Sequence, residues 1–97
     1  MSIYPVLMGE CRGWSDDSFS YVDKKSGQKQ RLFKRSYIIE CSAGEQVKSY
    51  ICDLTSSDPF GDSPVSRGDM CLCELEFFSS SYSGSKVSLR SISLLDH

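Results

Sequence analysis

"SFSYVDKK" (residues 18–25) and "QRLFKRSYIIEC" (30–41) flank a short turn, "SGQ" (26–28). Both arms are rich in aromatic and β-branched residues at alternating positions. A glycine between such arms accepts the positive φ of a tight reversal, so the stretch predicts a β-hairpin with Gly27 at or near that position. The far arm runs directly into Ile38, Ile39 and Cys41, which roots the hairpin in a core.

The neighbouring segments follow the same grammar. Downstream, "SAGE" (42–45) makes a tight connection into the alternating run "QVKSYICDL" (46–54). Upstream, a strand is expected from Ile3 to Trp14, with Gly9 and Gly13 inviting a bulge or a sharp bend. Residues 55–69 hold Pro59, Gly61 and Pro64, which rule out more than one helical turn. "MCLCELEFF" (70–78) sets Cys71, Cys73, Leu75 and Phe77 on one face, with Glu74 and Glu76 on the other. After the serine-rich turn "SSSYSGS" (79–85), the last strand, "KVSLRSISLL" (86–95), changes its apolar face between Leu89 and Ile92, which predicts a bulge near Arg90. Sustained helical periodicity is absent, and about one residue in five is serine. The reading is all-β: a five-stranded Greek-key barrel of the OB type with a projecting basic β-hairpin. An SH3-like barrel satisfies the same strand count.

Composition sets the bounds. At 97 residues the chain is expected to form one domain, residues 1–97, large enough to bury about 60–65% of its unfolded surface. Five cysteines cannot all pair within one chain, no CxxC occurs, and the single histidine is His97. They read as small buried hydrophobes in a reducing compartment, with no metal site expected. The opening "MSIYPVLMGEC" lacks a basic region and soon meets Glu10 and Arg12, and no apolar run approaches a membrane span, so neither targeting nor membrane association is expected. No P-loop, GxSxG, EF-hand pattern or positioned triad is present. The Asp16–Asp17 pair reads as a turn or strand-end feature, and catalysis and cofactors are not expected.

Charge is distributed unevenly. Lys24, Lys25, Lys29, Arg31, Lys34 and Arg35 fall within twelve residues that contain no acid, whereas the rest of the chain carries five cations and thirteen acids. Drawn as a strand, residues 31–37 place Arg31, Phe33, Arg35 and Tyr37 on one face and Leu32, Lys34 and Ser36 on the other. Alternating cations and rings suit single-stranded nucleic acid, since cations hold phosphates while rings stack on unpaired bases. Tyr21 on the near arm adds a further ring. Phe33 and Tyr37 each read equally as core residues whose neighbours snorkel.

With these residues in view, the chain resembles the small single-stranded-DNA-binding proteins of filamentous phages, the gene V type, over residues 19–95. "FSYVDKKSGQKQRLF" (19–33) looks like that family's DNA-binding wing and "YIIECSAGEQVKSYICDL" (37–54) like its core hairpin. "SRGDMCLCELEFF" (66–78) looks like its strand entered through a glycine, here Gly68. "FFSSSYSGSKVSL" (77–89) matches in outline the loop that carries a DNA-contacting aromatic, here Tyr82, and builds a two-fold dimer. The chain departs from the family in its acidity, its cysteines and its longer N-terminal segment. The resemblance implies a non-enzymatic homodimer that coats single-stranded DNA during replication of a small phage genome, in the cytoplasm of a bacterial host. The candidate nucleic-acid-binding residues are Tyr21, Lys24, Lys25, Lys29, Arg31, Phe33, Lys34, Arg35, Tyr37 and Tyr82. Two other readings share the basic hairpin: a protein-interaction module docking an acidic host surface, and an RNA-binding OB module.

Overall fold

The structure, a computed structural model, describes residues 4–76 and 86–95. Within them lie β1 (Val6–Val22), β2 (Lys29–Ala43), β3 (Gln46–Ser56), β4 (Met70–Leu75) and β5 (Lys86–Leu94). The strands close into a barrel in the order β1-β2-β3-β5-β4. All neighbours are antiparallel except β3 and β5, which pair in parallel over Ile51–Asp53 and Lys86–Ser88. The expected all-β, five-stranded barrel is what forms. Of the expected irregular segment 55–69, Thr55 and Ser56 complete β3, and residues 57–69 connect it to β4 through bends and turns without helix.

The alternation read in the sequence is the alternation of the core. Cys11, Tyr37, Ile39, Cys52, Val65, Cys71, Cys73, Leu89 and Ile92 are buried together, with Leu7, Cys41, Tyr50, Leu54, Leu75 and Val87 packed around them. The cysteines act as compact apolar fillers: Cys11, Cys52, Cys71 and Cys73 are buried, Cys41 is half-buried, and none is in a disulfide. Burial pushes the Cys71 thiol up to about 12. Cys52 is also held protonated, by its hydrogen bond with Cys73 and by burial. On β5 the ladder passes from Glu74↔Ser91 to Leu75↔Leu89, so Arg90 is the extra residue of the expected bulge. Its guanidinium lies 4.0 Å from the Tyr4 ring centroid.

The expected strand over Ile3–Trp14 proves to be the first part of a longer one. β1 passes from the barrel wall into the near arm of the hairpin, and the register slips once, with Arg12 as the extra residue between Cys11↔Ile39 and Gly13↔Ile38. Such a bulge bends a strand and switches which residues face inward. Before it, β1 pairs with β4 over Val6–Glu10; beyond it, residues up to Val22 pair with β2 alone. Gly9 makes the closure possible: a Cβ there would stand 2.6 Å from the Glu40 carbonyl oxygen and 2.7 Å from Ile39 Cγ2.

β2 meets β3 only from Phe33 onward, so Lys29–Leu32 and their β1 partners Phe19–Val22 form a two-stranded ribbon beyond the barrel. The described residues extend 50 Å along one axis against 31 and 28 Å along the others. Asp23 accepts the Gly27 amide on its carbonyl and the Lys25 amide on its carboxylate, closing the tip, and Gly27 has a φ of 70° as its position predicts.

Candidate nucleic-acid interface

Cross-strand pairing sorts the wing into two faces. Lys29, Arg31, Phe33, Arg35 and Tyr37 share one of them with their β1 partners Val22, Ser20, Ser18, Asp16 and Trp14. The expected common face of Arg31, Phe33, Arg35 and Tyr37 is therefore real, but it does not stay in solvent. Arg31 is exposed and Phe33 half-buried, whereas Arg35 and Tyr37 are only 5% and 0% exposed. Once β3 joins at Phe33, the open face of the ribbon becomes the inside of the barrel.

That transition corrects two of the expected contacts. Tyr37 is a core residue: its hydroxyl donates to Ser63 Oγ at 2.9 Å, and Ser63 in turn donates to the Val65 carbonyl at 2.7 Å. Arg35 is an internal tie. Its Nε and one terminal nitrogen donate to the two Asp16 carboxylate oxygens at 2.6 and 2.9 Å, and the same terminal nitrogen reaches the Gly61 carbonyl at 2.8 Å. The guanidinium lies 5.0 Å from the Phe60 ring centroid and 5.9 Å from that of Trp14. Its hydrogen bond to Asp16 raises the Arg35 pKa, and the same bond holds the Asp16 carboxyl below its ordinary range. The charge of Arg35 is already spoken for, so a phosphate gains little from it.

The remaining cations present themselves at the tip and edges. Lys24, Lys25, Lys29 and Arg31 are exposed and Lys34 is half-buried. The Arg31 guanidinium lies 5.9 Å from the Phe33 ring centroid, coupling the exposed cation of the face to its half-buried ring. Tyr21 and Lys34 lie on the opposite face, opposite Gln30 and Asp17 respectively. Tyr82 lies outside the described residues. Beside Phe33 an open cleft of about 280 Å³ is lined by Asp16, Asp17, Ser18 and Phe33. Among the described residues no three histidine, cysteine or acidic side chains gather as a metal site, and no helix is long and apolar enough to cross a membrane.

Several members of this region were not singled out in the sequence. Phe19 is as exposed as Tyr21, both at 44%, and faces the same way two residues earlier on β1. Its place in "SFSYV" was a usable signal, because residues two apart on a strand share a face. Phe60 carried no such signal, and Asp16, read with Asp17 as a turn or strand-end feature, instead lies within β1 opposite Arg35.

No protein-family model matches the chain, and no curated protein matches it in sequence. The solution NMR structure of the second OB-fold domain of replication protein A from Methanococcus maripaludis superposes with a TM-score of 0.62 at 20% identity, over 98% of this chain and 86% of that one. The fold is an OB-fold. In such barrels the faces of the second and third strands and the loop between the first two are common ligand platforms. In this OB-fold the first connection is the ordered basic wing.

Proposed function

We propose that this chain binds single-stranded DNA through its wing, without marked sequence preference, and coats it as a homodimer during replication of a small phage genome. The observation that carries this reading is the wing itself: a two-stranded ribbon that projects Lys24, Lys25, Lys29 and Arg31 from an otherwise acidic OB-fold, with Phe33 beside Arg31. Cations of this kind hold the backbone by releasing counterions, and rings add base stacking at about 1–3 kcal/mol per base. The likeness to a domain of a replication protein supports the same direction. The phage setting, the dimer and the role of Tyr82 rest on the resemblance of residues 19–95 to the filamentous-phage proteins.

Fluorescence titration with oligo-dT at several salt concentrations tests the reading. Three to five phosphate contacts give a slope of log K against log salt of about −2 to −4. Single-stranded DNA should shift on a gel where duplex DNA does not, and alanine at Arg31, Phe33 or Tyr82 should each weaken binding. Absence of binding at low salt, or binding indifferent to salt, refutes it. Equal or tighter binding to oligo-U redirects the reading to RNA. Sedimentation of the free protein as a monomer at working concentrations removes the dimer.

A further inference from the structure

The wing also carries exposed rings on the face that Arg31 and Phe33 do not occupy. Phe19 and Tyr21 share that other face, with Leu32 and Gln30 as their cross-strand partners. Each of the two is 44% exposed. Both lie in the part of the ribbon beyond Phe33, where β3 joins, and neither is part of the buried core. Rings left in water on a two-stranded ribbon add little to the stability of the barrel, because burial is what makes an aromatic side chain stabilising.

The charges around these rings narrow what can cover them. Lys24 and Lys25 follow Tyr21 at the tip, and Lys34 shares the face of the rings, opposite Asp17. A second copy laying its wing against this one would set the exposed Lys24, Lys25, Lys29 and Arg31 of both copies together, and like charges oppose such a contact. A single-stranded polyanion reverses the sign and brings bases whose flat faces stack on rings. The spacing suits it. Two residues along a strand advance about 6.8 Å, twice the step of about 3.4 Å per nucleotide of a stacked strand. Each ring can therefore take its own base, with the thickness of one base between them.

We propose that the face bearing Phe19 and Tyr21 is a second base-stacking surface, so that the wing holds two segments of single strand, one against each face. The lysines of the tip lie between the two faces and serve the phosphates of both segments. The inference rests on the single-stranded-DNA reading and extends it, from one track beside Arg31 and Phe33 to a ribbon covered from both sides.

The test uses the full chain and oligo-dT. Phe19→Ala and Tyr21→Ala should each weaken binding about fivefold, the lower end of what one stacked base supplies. Neither removes a charge, so the slope of log K against log salt should stay at the wild-type value. Phe19→Tyr keeps a stacking face and should bind as wild type does. Phe19→Leu keeps apolar bulk without a ring and should weaken binding as alanine does, which separates stacking from folding. In NMR titrations at saturating oligo-dT the ring protons of Phe19 and Tyr21 should move upfield, and should still do so in Phe33→Ala. Wild-type affinity in Phe19→Ala, Phe19→Leu and Tyr21→Ala, or loss of those shifts in Phe33→Ala, overturns the second surface and leaves the single-stranded-DNA reading standing. So does a change in sedimentation of the free variants with oligo-dT affinity intact, the mark of a second copy on this face. Failure of the wild-type protein to bind oligo-dT at low salt overturns both.

Discussion

Replacing Arg31 and Arg35 by glutamine, one at a time, removes the same charge from the same face of β2 and separates two roles. Arg31 is exposed, and among the described residues its guanidinium contacts the Phe33 ring alone. Its loss should leave the melting temperature within the usual surface range of roughly ±0.5 kcal/mol. If it holds one phosphate, the salt slope should fall by about 0.7 and the affinity at 0.1 M salt by roughly fivefold. Arg35 is 5% exposed and makes two charge-assisted bonds to Asp16, one to the Gly61 carbonyl and a contact with Phe60. A fully buried pair of this kind is worth several kcal/mol to break, but the Asp16 side chain is 49% exposed and water can take up the freed carboxylate. The net loss is then about 2 kcal/mol, or roughly 8–16 °C in melting temperature for a domain of this size. Thermal denaturation followed by circular dichroism, together with salt-dependent oligo-dT titration below the transition, reads both variants. The reasoning fails if Arg35→Gln melts like the wild type, or if it flattens the salt slope as Arg31→Gln does.

Other perturbations follow from the same geometry. Gly9→Ala places a Cβ against the Glu40 backbone and should cost about 1–3 kcal/mol in urea denaturation, with a midpoint equal to wild type counting against the close approach. Because Arg35 lowers the Asp16 pKa, the stability their pair contributes is fully present above the unfolded aspartate value near ~3.9 and is lost as pH falls through the lower folded value. Asp16→Asn should therefore melt lower than wild type at neutral pH, the gap closing in acid; a gap constant with pH would contradict this. Iodoacetamide at pH 8 should modify half-buried Cys41 ahead of Cys71, whose thiol is pushed up to about 12, and all five cysteines only in denaturant. Mass spectrometry showing prompt modification of Cys71 in the folded protein would count against its burial.

The barrel was legible where one face of a strand meets the core. Alternation in "MCLCEL" fixed the inward side of β4, the interrupted pattern around Leu89 and Ile92 located the Arg90 bulge, and "SGQ" marked the wing tip. The middle of β1 was not legible. "WSDDS" (14–18) pairs with Phe33–Tyr37 where the hairpin enters the barrel, and its inward side meets a ring at Trp14 and an ion pair at Asp16 instead of an apolar layer, so no apolar alternation records it. The site was half legible. Parity placed Arg31, Phe33, Arg35 and Tyr37 on one face, but where that face passes into the barrel depends on the residue at which β3 joins. That point is a long-range pairing of Phe33 with Ser56. The ion pair of Arg35 spans nineteen residues of sequence, and a local run of like charges gives no hint that one member has a distant acid.

The uninterrupted course of β1 gives the wing a mechanical character. Because one strand, bent at the Arg12 bulge, is both barrel wall and ribbon edge, and the Arg35–Asp16 tie clasps the two arms at their root, the wing is built as a cantilever on the barrel. A floppy connection of similar length would have to be ordered at roughly 1–2 kcal/mol of backbone entropy per residue when a ligand arrives. Here the arms are already paired as far as Val22 and Lys29, so less of that cost falls on contacts made at the tip. A strand pulled across the tip would transmit its load through the β1–β2 ladder into the closed barrel.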